Sequence, residues 1–145
     1  MFFDEETLLD LRLNIMDKYV DKFVITESTY MHSGKQKKLI FDINNFSQFK
    51  DKIIYIVVDK PPPDLIKFSD NDSQDTKKSK MIDNAKKREM FQINKTQDGL
   101  INANQDDMII ISDIDEIPNL EKINLKENKK KLIFFKQKMF YYKFN

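Results

Sequence analysis

"KIIYIVVD" (residues 52–59) places Ile53, Ile54, Ile56, Val57 and Val58 around a single tyrosine, Tyr55. Branching at Cβ suits a pleated strand and crowds a helix. Polar and apolar residues do not alternate, so both faces of the strand call for cover, as in a parallel sheet between helices. "KPPPD" stops the run, because proline has no N–H to give to a ladder. Upstream, "KFVITES" (residues 22–28) reads the same way, as a short buried strand. Downstream, "MIIIS" (residues 108–112) reads as a third. Full burial of Ile109, Ile110 and Ile111 would contribute roughly 5–9 kcal/mol before entropy.

Helices fill the intervals. In "ETLLDLRLNIMDKYV", Leu9, Leu13, Met16 and Val20 step by four, three and four, which predicts a helix over residues 5–20. Asp4, Glu5 and Glu6 fall at its positive end. Helix formers return over residues 81–94. Residues 69–80, "SDNDSQDTKKSK", contain nothing apolar and read as loop, within a flexible segment of about residues 61–80. Pro118 suits the start of a short helix over 119–123. The closing "KLIFFKQKMFYYKFN" is strand-like. Leu132, Phe134, Phe140, Tyr142 and Phe144 share one face, and Ile133, Phe135, Met139 and Tyr141 the other. Such a strand needs cover on both sides, from the sheet, a further segment or a second copy in a homo-oligomer. The pattern is a single α/β domain over residues 1–145, a mostly parallel sheet flanked by helices.

Composition narrows the chemistry. The net charge of +1 gives no general pull toward nucleic acid or anionic membrane. The lysines of "KENKKK" (residues 126–131) read as a turn. The absence of cysteine excludes disulfides, thiolate zinc sites and thiol nucleophiles. One histidine, His32, excludes a His-rich metal site and argues against a Ser-His-Asp triad. No apolar run approaches the roughly 18 residues of a membrane helix. The acidic start shows no signal-peptide pattern, which sets the expectation of a cytoplasmic protein.

The chemistry concentrates where "MIIIS" ends, at Asp113, Asp115 and Glu116. Ligands of open parallel sheets bind beyond the carboxyl ends of strands. If the backbone stays extended, Asp113 and Asp115 lie about 7 Å apart on one face. Two negative charges at that separation repel by roughly 2–3 kcal/mol at an effective dielectric near 20. A hard cation, Mn²⁺ or Mg²⁺, would offset this and could bridge to a diphosphate. An EF-hand is a poor fit, with Pro118 and Asn124 where glycine and glutamate belong. Against this stands the ordinary use of Asp and Glu as loop and cap residues. His32, Lys35, Lys37 and Lys38 could meet a phosphate or face solvent; Tyr141 and Tyr142 could stack on a sugar or fill the core.

At greater length, "FFDEETLLDLRLNIMDKYVDKFVITES" resembles the opening of glycosyltransferase family 17, the β-1,4-mannosyl-glycoprotein β-1,4-N-acetylglucosaminyltransferase group. The match runs through Glu5, Leu9, Arg12, Leu13, Val20, Asp21, Phe23, Val24, Ile25, Glu27 and Ser28. "SGKQKKL", "DKIIYIVVD", "REMFQIN" and "IIISDIDEIP" resemble four further blocks in the family's order. The resemblance implies a GT-A-type, Rossmann-like nucleotide-diphospho-sugar transferase fold. It also implies inverting transfer from UDP-N-acetylglucosamine to a glycan acceptor. By position it implies that Asp113 and Asp115 manage ribose and metal, with Asp115 the closer ligand, and that Glu116 supports them. It places Glu27 near the uridine, Arg88 and Gln92 toward phosphates or sugar, and Lys35 in the Gly-Lys loop. Two departures stand out: Ile93 replaces a usual arginine, and the chain ends near the middle of the family's length. They motivate an alternative, a nucleotide-sugar fold kept as a catalytically inactive binding or assembly module. No catalytic base is assigned.

Overall fold

A computed structural model of the protein describes residues 1–124, 127 and 130–138. The predicted first helix is present as α1, Glu6–Met16. It buries Leu9, Leu13 and Met16, the residues whose spacing announced it. The chain leaves the helix at Asp17, yet Tyr19 and Val20 still pack on the core through a turn closed by bonds to the Met16 carbonyl.

The two β-branched runs form strands β1, Phe23–Ser28, and β2, Ile53–Val58. They pair in parallel, Phe23 opposite Ile53 through to Ser28 opposite Val58. Side chains alternate between faces. Phe23 and Ile25 join Phe2, the α1 residues, Phe46, Phe49 and Leu120 in one core. Phe41 stacks on Phe46 at 5.6 Å and on Tyr55 at 4.6 Å, extending that core over β2. Val24 points the other way, against Gly99; a Cβ added to Gly99 would lie 2.5 Å from Val24 Cγ1. Packing thus covers both faces of the sheet, an α/β arrangement.

The second long helix, α2, spans Gln74–Lys95 and runs on into a 3₁₀ turn, Thr96–Leu100. Its start corrects the expected loop of residues 69–80, because residues 74–80 are helical. Ser73 supplies the cap, its Oγ accepting from the Thr76 N–H at 3.1 Å. A capped helix whose first turns face solvent needs no apolar stripe there. The loop before it is pinned by the Lys80–Asp72 ion pair at 2.7 Å. It is pinned again by buried Asn84, whose amide both accepts from the Ile66 N–H and donates to the Ile66 carbonyl.

The expected third strand is absent: residues 108–112 are not strand, and the sheet among the described residues has two strands. Ile109 is 46% and Ile111 77% exposed. The residues that do reach the core are Ile110, Ile114 and Ile117, spaced four and three apart. A strand needs a ladder partner as well as hydrophobicity. Phe23 N–H donates to Lys52 beside β2, while Thr26, of opposite parity, accepts from Phe2 N–H at 2.8 Å on the other edge. The N-terminal segment therefore occupies part of the edge a third strand would use. The short helix after Pro118 is a 3₁₀ turn, Leu120–Lys122, narrower than the predicted 119–123.

Residues 130–138 form no strand either; Leu132 and Phe134 are exposed, while Phe135 packs against the core. Met139, Phe140, Tyr141, Tyr142 and Phe144 lie outside the described residues. Among the described residues no helix is long and apolar enough to cross a membrane.

Candidate functional site

The site is built around the loop that follows β1. Tyr30 bridges antiparallel to Gln36, and the turn between them closes through Met31 N–H to Lys35 O and Gly34 N–H to Met31 O, both 2.8 Å. Gly34 has φ of +88°, in the left-handed region that favours glycine. A Cβ there would also lie 2.7 Å from Arg88 Nη2. Arg88 reaches up from α2 and donates to the His32 carbonyl at 3.0 Å. Its position is therefore beneath the glycine turn, holding backbone.

Glu27 anchors the same loop from below. Its side chain is fully buried, and each oxygen takes two donors. Oε1 accepts from Lys37 Nζ at 2.5 Å and Ile40 N–H at 3.0 Å. Oε2 accepts from Tyr55 Oη at 2.7 Å and Phe41 N–H at 3.1 Å. Burial pushes the carboxyl pKa up, but Lys37, Tyr55 and the two backbone N–H groups outweigh it and hold the value below the ordinary range. Burial, then the Glu27 carboxylate, raises the pKa of Tyr55.

Above lies an open cleft of about 560 Å³ at the carboxyl end of β1. Lys37 and His32 line it from the loop, Glu89 and Gln92 from α2, and Asp113 and Asp115 from the segment after "MIIIS". Gln92 is 5% exposed, and its amide has no hydrogen-bond partner among the described residues. Asp113 and Glu116 close a tight turn: Glu116 N–H donates to Asp113 O, and Asp113 N–H to Glu116 Oε2, each at 3.1 Å. The backbone thus bends where the sequence expectation had it extended. Glu116 spends its carboxylate on this turn, and among the described residues no three acidic, His or Cys side chains gather as a metal cluster.

Arg12 of α1 holds the turn from behind. Nη1 donates to Asp113 O at 2.8 Å and to Glu116 O at 2.7 Å, and Nη2 donates to Ser112 Oγ at 2.6 Å. Burial lowers the guanidinium pKa, while Glu116, Asp113 and Asp115 oppose that shift.

Of the residues singled out in the sequence, the fold brings His32, Lys37, Gln92, Asp113 and Asp115 to the cleft wall. Glu27 lies under the loop, Arg88 under Gly34, and Glu116 within the turn. Lys35 is exposed on the glycine turn, and Lys37 lines the cleft instead. Arg12 and Glu89 carried no role in the sequence reading. The signal for Arg12 was present: a lone cation inside "LLDLRLNIM", between Leu9 and Met16 of a buried face.

The order of these parts is that of a known family. The family model described as Glycosyltransferase family 17 matches residues 1–145. No curated protein and no solved structure gives a match. The match takes in α1, both strands, α2 and the Asp113–Glu116 turn, every element that shapes the cleft, and it supports glycosyltransferase chemistry in general. The chain belongs to glycosyltransferase family 17.

Proposed function

We propose that the protein is a metal-dependent glycosyltransferase of GT-A type that takes N-acetylglucosamine from UDP-N-acetylglucosamine and passes it, with inversion, to a glycan hydroxyl. One observation carries this reading: Asp113 and Asp115, with no hydrogen-bond partner on either carboxylate among the described residues, share a cleft with the amide of Gln92, which likewise has no partner among them. That amide opens onto the cleft, where its N–H groups could donate to a bound sugar or phosphate oxygen.

The donor set fits Mn²⁺ or Mg²⁺. Such ions take oxygen ligands and often use one or two carboxylates, with phosphate and water completing the shell. Asp115 and Asp113 would hold the ion. When bound, it neutralises the diphosphate as negative charge develops there. Lys37, its ammonium paired with Glu27, and His32 also line the cleft, where their N–H groups could meet an anionic donor. Gln92 orients the donor through its amide. As the acceptor oxygen bonds to the sugar's anomeric carbon, the bond to the β-phosphate breaks. UDP leaves with the electron pair, and the acceptor proton passes to a base.

The test is sugar transfer from UDP-N-acetylglucosamine to a glycan acceptor, with Mn²⁺ present and again after chelation. Metal-dependent turnover supports the reading. Donor binding without transfer or hydrolysis would replace it with the binding-module reading.

A further inference from the structure

We infer that Arg12 is a positioning residue for the candidate site: it fixes the Asp113–Glu116 turn through backbone and hydroxyl oxygens, and so leaves both aspartate carboxylates free for ligand. The inference rests on the nucleotide-sugar reading of the cleft.

Arg12 lies roughly a hundred residues away in sequence from its partners Ser112, Asp113 and Glu116. An arginine beside three acids ordinarily forms forked bonds to a carboxylate. Here none of its three bonds ends on one; they end on two main-chain carbonyls and the Ser112 hydroxyl. The charge still moderates repulsion among Asp113, Asp115 and Glu116, yet it occupies none of the carboxylate lone pairs of Asp113 or Asp115. A salt-bridged aspartate would have to surrender its partner to bind a cation; these need not.

The geometry also selects the residue type. Reaching two carbonyls and a hydroxyl from one helix position requires a planar fork with several fixed N–H groups. Lysine offers a point charge on a flexible stem. Glu116 completes the turn from the front by accepting the Asp113 N–H, so the 112–116 segment is held on both sides. The strand that would otherwise fix this segment is absent, so the side-chain clamp restrains it together with the core contacts of Ile110, Ile114 and Ile117.

Arg12→Lys and the milder Ser112→Ala test this. Hydrogen exchange, followed in protein without metal or nucleotide, should accelerate at residues 112–117 by at least about tenfold in Arg12→Lys and less in Ser112→Ala, with β1 and β2 unchanged. UDP affinity in Mn²⁺ should fall by roughly 10–100-fold, the usual cost of losing a partner that orients a metal ligand. Millimolar guanidinium should restore part of that affinity to Arg12→Ala, and a merely structural role predicts no such rescue. Unchanged exchange at 112–117 in both variants overturns the inference. So does faster exchange with unaltered Mn²⁺-dependent UDP affinity. Failure of the unmutated protein to bind UDP with Mn²⁺ removes the nucleotide-sugar reading, and this inference with it; that failure is recognisable because no mutation is involved.

Discussion

Glu27→Gln changes one atom in a carboxylate with four donors, the best connected among the described residues. The side chain is 0% exposed, and its two oxygens receive four donors. Glutamine keeps a single acceptor oxygen. If its amide nitrogen takes the Oε1 place, it meets Lys37 Nζ and the Ile40 N–H, donor against donor. If it takes the Oε2 place, Tyr55 can rotate its hydroxyl and accept, but the Phe41 N–H is stranded. Either way a buried ion pair is broken, and the Lys37 side chain is itself only 9% exposed. Breaking such a pair from one side costs about 3–5 kcal/mol, and glutamine's remaining bonds should hold the loss near the low end, about 3 kcal/mol. That is a large share of the roughly 5–15 kcal/mol by which domains are stable. Urea unfolding reads it as a lower midpoint at unchanged slope.

The pH dependence sharpens the test. The folded pKa of Glu27 lies below its unfolded value. The stabilisation is therefore complete above the ordinary carboxylate range and is lost as pH falls through the folded value. The gap between wild type and Glu27→Gln should be largest near neutrality and should close on acidification, where the protonated glutamic acid resembles the amide. A difference under about 1 kcal/mol at neutral pH, or one constant down to about pH 3, would refute this account of the loop.

Further outcomes follow from the packing. Gly99→Ala should destabilise by about 1–3 kcal/mol through overpacking on Val24, and Val24→Ala added to it should recover part of the loss in thermal unfolding. Ile111→Ser should change stability by less than about 0.5 kcal/mol, because the side chain is exposed; a loss of about 2 kcal/mol would mean the buried strand exists after all. Asn84→Ala strands both backbone groups of Ile66 and should cost about 1–3 kcal/mol by urea unfolding.

Local chemistry in the sequence was enough for β1, β2 and α1, whose residues are strong formers with clear spacing. It was not enough for the first turns of α2, where polar residues gave no stripe and the signal lay in one cap, Ser73. "MIIIS" misled for a different reason. Apolar character predicts burial, whereas a strand also needs a free ladder, and Phe2 takes part of the available edge. The cleft was half legible. Asp113 and Asp115 stood out as a motif, and Gln92 by its block. The clamp by Arg12, and the burial of Glu27 beneath Lys37, are contacts between distant residues. Neither leaves a periodic trace.

Calorimetry of UDP binding with and without Mn²⁺, in wild type and Asp115→Asn, bears most directly on the central claim that the free carboxylates hold a metal bridged to a diphosphate. The expected result is binding that requires Mn²⁺ and weakens at least about tenfold, ~1.4 kcal/mol, in Asp115→Asn. UDP binding that ignores both the metal and the substitution would contradict it.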